Sequence, residues 1–389
     1  MSPLATRAGA IEPTLIRAFR DNARPSSLDL GIGQPDLAVA EPVRRALIGA
    51  VEQGRAPYSH NLGLWPTRQA IGERYGLTGE QVMVTCGVQE ALAVAVLGLV
   101  EPGDEVLVPE PGFPAYPNLV RMAGATPVVY ELDADADFRL VPERVEAALS
   151  DRTSAIILNS PSNPTGACHA ARDLAAVVEL LAERGICYIS DEIYEDYVYG
   201  DAHASVLDFD EGLAGGVKLG GLSKSHHMMG WRIGWLIGEA GLVEALKPLH
   251  QHLVTCAPTP AQQAARVALE RHEELFEPTR AVFESRRELA CRLASKLPDV
   301  SFVAPQGAFY LFLDVRAYTE SGPGRRSTTS LELAERLLDT HDVVVIPGEG
   351  FGAAGEGFLR VAYTVDEPVL REGFARIRQF FENSLKSHD

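Results

Sequence analysis

Lysine is scarce in this chain, and one lysine stands where an amine could be made reactive. Among 35 basic residues only Lys218, Lys224, Lys247, Lys296 and Lys386 are lysines, and the rest are arginine. Lys224 follows Gly220-Gly221-Leu222-Ser223, an apolar, glycine-rich setting in which desolvation lowers an amine's pKa and exposes a nucleophile. Beyond it, Gly230-Trp231-Arg232-Ile233-Gly234-Trp235 offers in Arg232 a planar, permanent cation for a phosphate or carboxylate. Ser190-Asp191-Glu192-Ile193-Tyr194 follows an apolar run. A carboxylate buried there needs a cation or a donor, because an unpaired buried charge is very costly. In Thr85-Cys86-Gly87-Val88-Gln89-Glu90 a strand passes through glycine into an apolar helix, leaving free amides and a helix dipole as an anion cradle. In Asn159-Ser160-Pro161-Ser162-Asn163-Pro164-Thr165-Gly166 two prolines rigidify a loop and aim Asn163.

Each stretch alone has a plainer reading, as a glycine turn, a proline turn, a solvated acidic turn or a surface lysine. Together they ask for one ligand. It carries a phosphate for the glycine loop and Arg232, a carbonyl for Lys224 and a ring nitrogen for Asp191. Pyridoxal phosphate meets each requirement.

The elements that must position these residues alternate. Short apolar runs at Val82 to Thr85, Glu105 to Pro109, Thr126 to Leu132, Thr153 to Leu158, Cys187 to Ser190, Val217 to Leu219 and Ile233 to Ile237 read as strands. Helical periodicity marks Glu41 to Gln53, Glu90 to Val100 and Arg172 to Arg184. This rhythm predicts an α/β fold with a mostly parallel central sheet covered by helices on both faces. In such sheets ligands bind at the carboxyl ends of the strands, which is where the four stretches fall. After Pro260 the pattern is mainly helical to about Leu297, and Phe302 to Val315 and Val343 to Ile346 read as strands of a smaller α+β unit. The expected division is an N-terminal segment 1–45 joining that small unit, a large cofactor-binding domain 46–285, and a C-terminal small domain 286–389. Gly322 to Arg326 reads as a surface loop.

Composition excludes other classes. The formal charge of −18, from 53 acidic against 35 basic residues, disfavours nucleic acid and anionic membrane surfaces as partners. Five well-separated cysteines without a CxxC pair fit a reducing compartment rather than disulfides or zinc. No apolar run of membrane-spanning length and no signal-peptide pattern appears, so a cytoplasmic protein is expected. GxxxxGK[ST], HExxH and GxSxG are all absent. Gly31-Ile32-Gly33 is only part of a dinucleotide fingerprint, with Pro35 interrupting and Asp36 in the third glycine's place.

The ordered motifs resemble the fold-type I pyridoxal-phosphate aminotransferases of the class I/II, aspartate-aminotransferase-like family. The likeness runs collinearly through Gly33-Gln34-Pro35-Asp36, Tyr58, Gly87-Val88-Gln89, Pro111-Gly112-Phe113, Asn163-Pro164-Thr165-Gly166, Asp191 to Tyr194, Ser223-Lys224, Gly230-Trp231-Arg232, Gly307 to Tyr310 and Arg360. The resemblance implies that Lys224 forms the internal aldimine and carries the proton, and that Asp191 keeps the pyridine nitrogen protonated. It implies that Tyr194 and Asn163 face the phenolic oxygen and that Phe113 stacks on the ring. Arg232, Ser223, Gly87 and the amides of Val88 and Gln89 would take the phosphate. Tyr58 would reach the phosphate of a neighbouring subunit, implying a homodimer. Arg360 would pair with the substrate α-carboxylate, with Gly33 and Asn163 beside it, and no metal is implied. Gly221 stands where many relatives carry Ser or Thr, which removes one phosphate hydroxyl. His226-His227 is unusual after the lysine, and packing and tuning of the lysine both stay open as readings. The implied reaction moves an amino group between an α-amino acid and a 2-oxo acid. A β-eliminating lyase on the same fold is the alternative. A ligand sensor fused to a DNA-binding segment is disfavoured by the charge.

Overall fold

The computed structural model describes residues 6–9, 11, 13–54, 57–200, 203–320 and 328–386. Glu12, in the N-terminal segment 1–45, and the Gly322 to Arg326 loop lie outside the described residues. The strands, in chain order, are β1 (Leu28–Asp29), β2 (Val82–Thr85), β3 (Glu105–Glu110), β4 (Thr126–Glu131), β5 (Thr153–Asn159), β6 (Cys187–Asp191) and β7 (Gly216–Gly221). They continue with β8 (Gly234–Ile237), β9 (Ser301–Phe302), β10 (Tyr310–Asp314), β11 (Val343–Val344), β12 (Ile346–Pro347) and β13 (Phe358–Ala362).

Seven strands form the central sheet in the order β2-β8-β7-β6-β5-β3-β4. All neighbouring pairs are parallel except those made by β8, which runs antiparallel to β2 and β7. The α/β expectation therefore holds, with one reversed strand where β7 and β8 are joined by a loop rather than a crossover helix. Burial explains why these strands read as unbroken apolar runs. In β5, Ile156 and Leu158 face one core cluster with Leu107, Tyr188 and Trp235. Ala155 and Ile157 face the other, with Val106, Ile189, Leu219 and Leu236. The helix Val88–Leu99 covers that second face through Ala91, Leu92, Val94 and Ala95, all essentially inaccessible to solvent. It begins before Glu90, where the apolar periodicity places its start, so that Val88 and Gln89 form its first turn.

The smaller unit pairs β10 antiparallel with β13 and β9, and β13 with β12. The segment Phe302 to Val315 is thus two short strands with the Gly307 to Phe309 turn before β10. The segment between β3 and β4 folds as the helix Ala115–Met122. Two residues near the N-terminus, Leu28 and Asp29, pair in parallel with Val343 and Val344. That pairing brings a segment near the N-terminus alongside one near the C-terminus. No helix among the described residues is long and apolar enough to cross a membrane.

Candidate active site

Because β2, β5, β6 and β7 point the same way, their C-terminal ends open at one edge of the sheet. There β2 leads to Gly87, β5 ends at Asn159, β6 ends at Asp191 and β7 leads to Lys224. They surround a cavity of about 1070 Å³. Gly33, Val88, Gln89, Phe113, Asn163, Asp191, Tyr194, Ser223, Lys224, Arg232 and Arg360 all line it. Of the residues singled out from the sequence, Gly87 and Tyr58 lie outside the lining. Gly87 closes the floor behind Arg232. Tyr58 is 84% exposed and faces outward, so this subunit's pocket is built without it.

One end of the cavity suits an anion. The helix Val88–Leu99 presents its first amides there, and these have no partner within the helix. The guanidinium of Arg232 is fixed beside them, donating from Nη1 to the Met229 carbonyl at 3.0 Å and from Nη2 to the Cys86 carbonyl at 3.0 Å. Two glycines make room. A Cβ on Gly87 (φ 84°) would sit 2.6 Å from Arg232 Nη2, and one on Gly234 would sit 2.6 Å from the Val88 amide. Small residues that let backbone donors and an arginine close in around empty volume fit a phosphate.

Lys224 occupies the centre. Its Nζ donates to the Gly33 carbonyl at 2.8 Å and lies 5.8 Å from the ring centroids of Tyr194 and Phe309. Its own carbonyl accepts from the Tyr197 hydroxyl at 2.9 Å. Burial, followed by the Arg360 guanidinium, pushes the amine down to about 8, with Asp191 opposing. Asp191 Oδ2 accepts from the Tyr116 hydroxyl at 2.9 Å and Oδ1 from the Ile193 amide at 3.2 Å. Burial raises its carboxyl to about 6 against those two donors. A buried carboxylate with so few donors fits a ligand that brings a protonated ring nitrogen.

On the opposite wall Arg360 is 1% exposed. Its Nη1 donates to Asn163 Oδ1 at 2.6 Å and its Nη2 to the Gly31 carbonyl at 2.5 Å, while Nε is buried without a partner. Two of five N–H donors are thus spent, and the remainder can grip a carboxylate. The guanidinium lies 4.4 Å from the Tyr310 ring centroid, and Tyr310 shares a 2.8 Å hydrogen bond with Tyr194. A Cβ on Gly33 would fall 1.9 Å from the Tyr310 hydroxyl, so only glycine fits that wall.

Three contributors escaped the sequence reading. Tyr116 and Tyr197 sit in apolar surroundings, where a tyrosine gives no sign that its hydroxyl reaches a functional group. Asn159, inside a flagged stretch, buttresses the site from its side chain, donating to the Asp191 carbonyl at 2.9 Å and accepting from the Asn163 amide at 3.0 Å. Here the strand-end asparagine was the available signal.

A parallel sheet whose strand ends gather a depressed lysine, a buried carboxylate, an anion cradle and a carboxylate-binding arginine defines an enzyme that holds a phosphorylated carbonyl cofactor against an amino or oxo acid. The chain belongs to the aminotransferase class I and II family, whose pattern it matches over residues 25–377, a pyridoxal-phosphate-dependent family. Aspartate aminotransferase of Geobacillus stearothermophilus is 34% identical, over 97% of this chain and 99% of that protein. Aromatic-amino-acid aminotransferase 2 of Thermococcus litoralis is 31% identical, over 97% of each. The solved structure of Thermus thermophilus aspartate aminotransferase with maleate superposes with a TM-score of 0.90 at 31% identity, covering 98% of this chain and all of that one. The protein is accordingly an aminotransferase, and nothing in these relatives supports the lyase alternative.

Proposed function

We propose that the chain exchanges an amino group between an α-amino acid and a 2-oxo acid, with Lys224 as the reactive amine and Arg360 as the α-carboxylate anchor. The observation that carries this reading is the placement of Lys224 Nζ on the Gly33 carbonyl, between the Arg360 and Asp191 sides of one cavity. Pyridoxal phosphate, when bound, supplies an aldehyde that an amine can take up and a ring that accepts electron density from the substrate Cα. Lys224 Nζ, partly neutral near neutral pH, would hold the cofactor and would serve as the base that takes and returns the substrate Cα proton. Asp191 keeps a proton on the ring nitrogen. Tyr194 and Asn163 donate to the phenolic oxygen, and Phe113 covers the ring face. Val88, Gln89, Ser223 and Arg232 bind the phosphate over the floor set by Gly87. Arg360 would hold the substrate α-carboxylate and so orient the Cα–H bond, rather than the bond to the carboxylate, for cleavage.

Charge accounting extends the reading to the substrate. Four cations face the cavity, Arg17, Lys224, Arg232 and Arg360. Phosphate answers Arg232 and the α-carboxylate answers Arg360, whereas Arg17 has no ion-pair partner among the described residues and stands exposed at the lip on the helix Leu15–Asp21. A substrate with a second carboxylate would complete it, in keeping with relatives named aspartate aminotransferases. Arg17→Ala should raise KM for a dicarboxylic amino acid about fivefold, the worth of one exposed ion pair, and leave KM for an aromatic one unchanged. Equal effects on both would remove Arg17 from substrate recognition.

We also read the chain as a cytoplasmic homodimer. Leu97, Leu253 and Val254 leave apolar surface exposed on two helices packed together, and all five cysteines are free. Residues 46–285 seat the cofactor in this reading, and 1–45 with 286–389 bring Arg17 and Arg360. Tyr58 would serve the partner's phosphate. Tyr58→Ala should then loosen the cofactor, and mixing that variant with Lys224→Ala should restore activity through hybrid dimers holding one intact site. No recovery on mixing would place Tyr58 outside the site.

A further inference from the structure

The reading of Lys224 as the reactive amine leaves His226 without a role, yet His226 is 3% exposed and hydrogen-bonded through Nε2. Its Nε2 lies 2.9 Å from His272 Nδ1, with the rings edge-to-face at 5.1 Å. His272 Nε2 in turn lies 3.1 Å from Asp196 Oδ1, which also receives Arg74 Nη2 at 2.5 Å. We propose that His226 is a positioning residue: a directed hydrogen-bond relay from Asp196 through His272 to His226 fixes the turn that presents Lys224. This inference rests on Lys224 holding the cofactor and goes beyond it.

Only one set of tautomers satisfies the chain when both rings are neutral. A carboxylate can only accept, so the His272 proton is on Nε2. Its Nδ1 is then an acceptor, and the bridging proton comes from His226 Nε2. Burial above all pushes His226 down to about 3, so His226 stays neutral at working pH. The groups facing it are His272, Asp196, Arg74 and His227. Those facing Lys224 are Arg360, Asp191, Arg232 and Arg17.

The anchor point explains why this matters for chemistry. Asp196 belongs to the short turn that follows Asp191, and that turn already holds Lys224 twice. The Tyr194 ring lies 5.8 Å from Nζ, and the Tyr197 hydroxyl holds the Lys224 carbonyl. The relay adds a third hold, on the residue two positions beyond the lysine. The turn is itself pinned from behind. Lys218, fully buried on β7, bonds Glu192 and, at 2.8 Å, Glu195, while His203 reaches Glu192 at 2.7 Å. Burial raises the carboxyls of Glu192 and Asp196, but Lys218 beside the first, and His272 with Arg74 beside the second, outweigh it and hold both below the usual range. One buried network therefore registers the Lys224 amine against the Asp191 carboxylate. Aromatic packing alone would fill the same space without needing a donor on residue 226.

His226→Phe and His226→Gln in the pyridoxal-phosphate-loaded enzyme separate the two. Glutamine carries an amide nitrogen near the position of Nε2, whereas phenylalanine keeps the ring and loses the donor. The Phe variant should lower kcat about tenfold with each KM within about twofold, the signature of a misplaced group rather than lost binding. It should also move the pH midpoint of the visible cofactor band by about half a unit or more, and the Gln variant should stay near the parent in both. Phe and Gln variants that behave alike would overturn the relay, whatever their melting temperatures. Should the Phe variant fail to fold, His272→Leu breaks the relay one residue further away and is expected to shift kcat and midpoint in the same way. Borohydride reduction and peptide mapping keep the premises apart. A link at Lys224 in the parent with indifferent His226 variants defeats only the relay, and a link elsewhere defeats the site itself.

Discussion

Lys224→Ala is expected to abolish the borohydride-reducible link and to lower kcat by about 10⁴-fold, the upper range for a positioned proton-transfer group. The proposed phosphate cradle of Val88, Gln89 and Arg232 is untouched, so the variant should still bind pyridoxal phosphate and keep the fold. Added small amines should restore part of the activity, because what is missing is an amine at one point. The unmodified cofactor-free protein offers a test of the environment. An amine attacks only when neutral, and burial with Arg360 places this one at about 8 instead of 10.5. Its capture of the cofactor should therefore quicken as pH rises toward about 8 and then level off. Capture that keeps rising toward pH 10 would mean a solvated lysine and would contradict the packing around Nζ.

Asp191→Asn carries the second large effect, and its sign differs between function and stability. Losing the carboxylate proposed to keep the ring nitrogen protonated should lower kcat by about 10³-fold, as removal of a preorganised electrostatic partner does. Stability should move the other way in the cofactor-free protein. Burial raises the Asp191 carboxyl from 3.8 to about 6, so between those values the folded chain holds a proton that the unfolded chain has released. Its contribution to stability is present below about pH 4 and falls as pH rises through 6. Asparagine removes that burden, so at pH 7 the cofactor-free variant should melt at the same temperature or higher. A large drop in melting temperature would show that Asp191 is a structural residue first.

Much of this site can be read from the sequence because the buried sheet writes itself as apolar runs. Functional residues then stand out where β5, β6 and β7 stop. Lys224, Asp191 and Asn163 were legible as residues lining one cavity for that reason, Arg232 by its glycine-flanked run before β8, and the large α/β sheet with them. Other features leave no local trace. Tyr116 and Tyr197 look like core residues until their hydroxyls are seen to end on Asp191 and on the Lys224 carbonyl. The partner of His226 is 46 positions away, at the start of the helix His272–Ala294. A strand of two residues such as Leu28–Asp29 has no periodicity to detect, and the reversal of β8 is decided by the strands on either side of it.

The pairing of Leu28–Asp29 with Val343–Val344 also has a consequence for how the enzyme comes into being. Contacts between distant positions form late, because the intervening loop must close first. Every strand of the central sheet lies between residues 82 and 237, so the proposed cofactor seat can form while the ribosome is still adding the remaining C-terminal part of the chain. Gly33, by contrast, waits on a partner that emerges some three hundred residues later, as does Arg360 itself. A nascent chain would thus become able to hold its coenzyme well before it can select an acid to act upon.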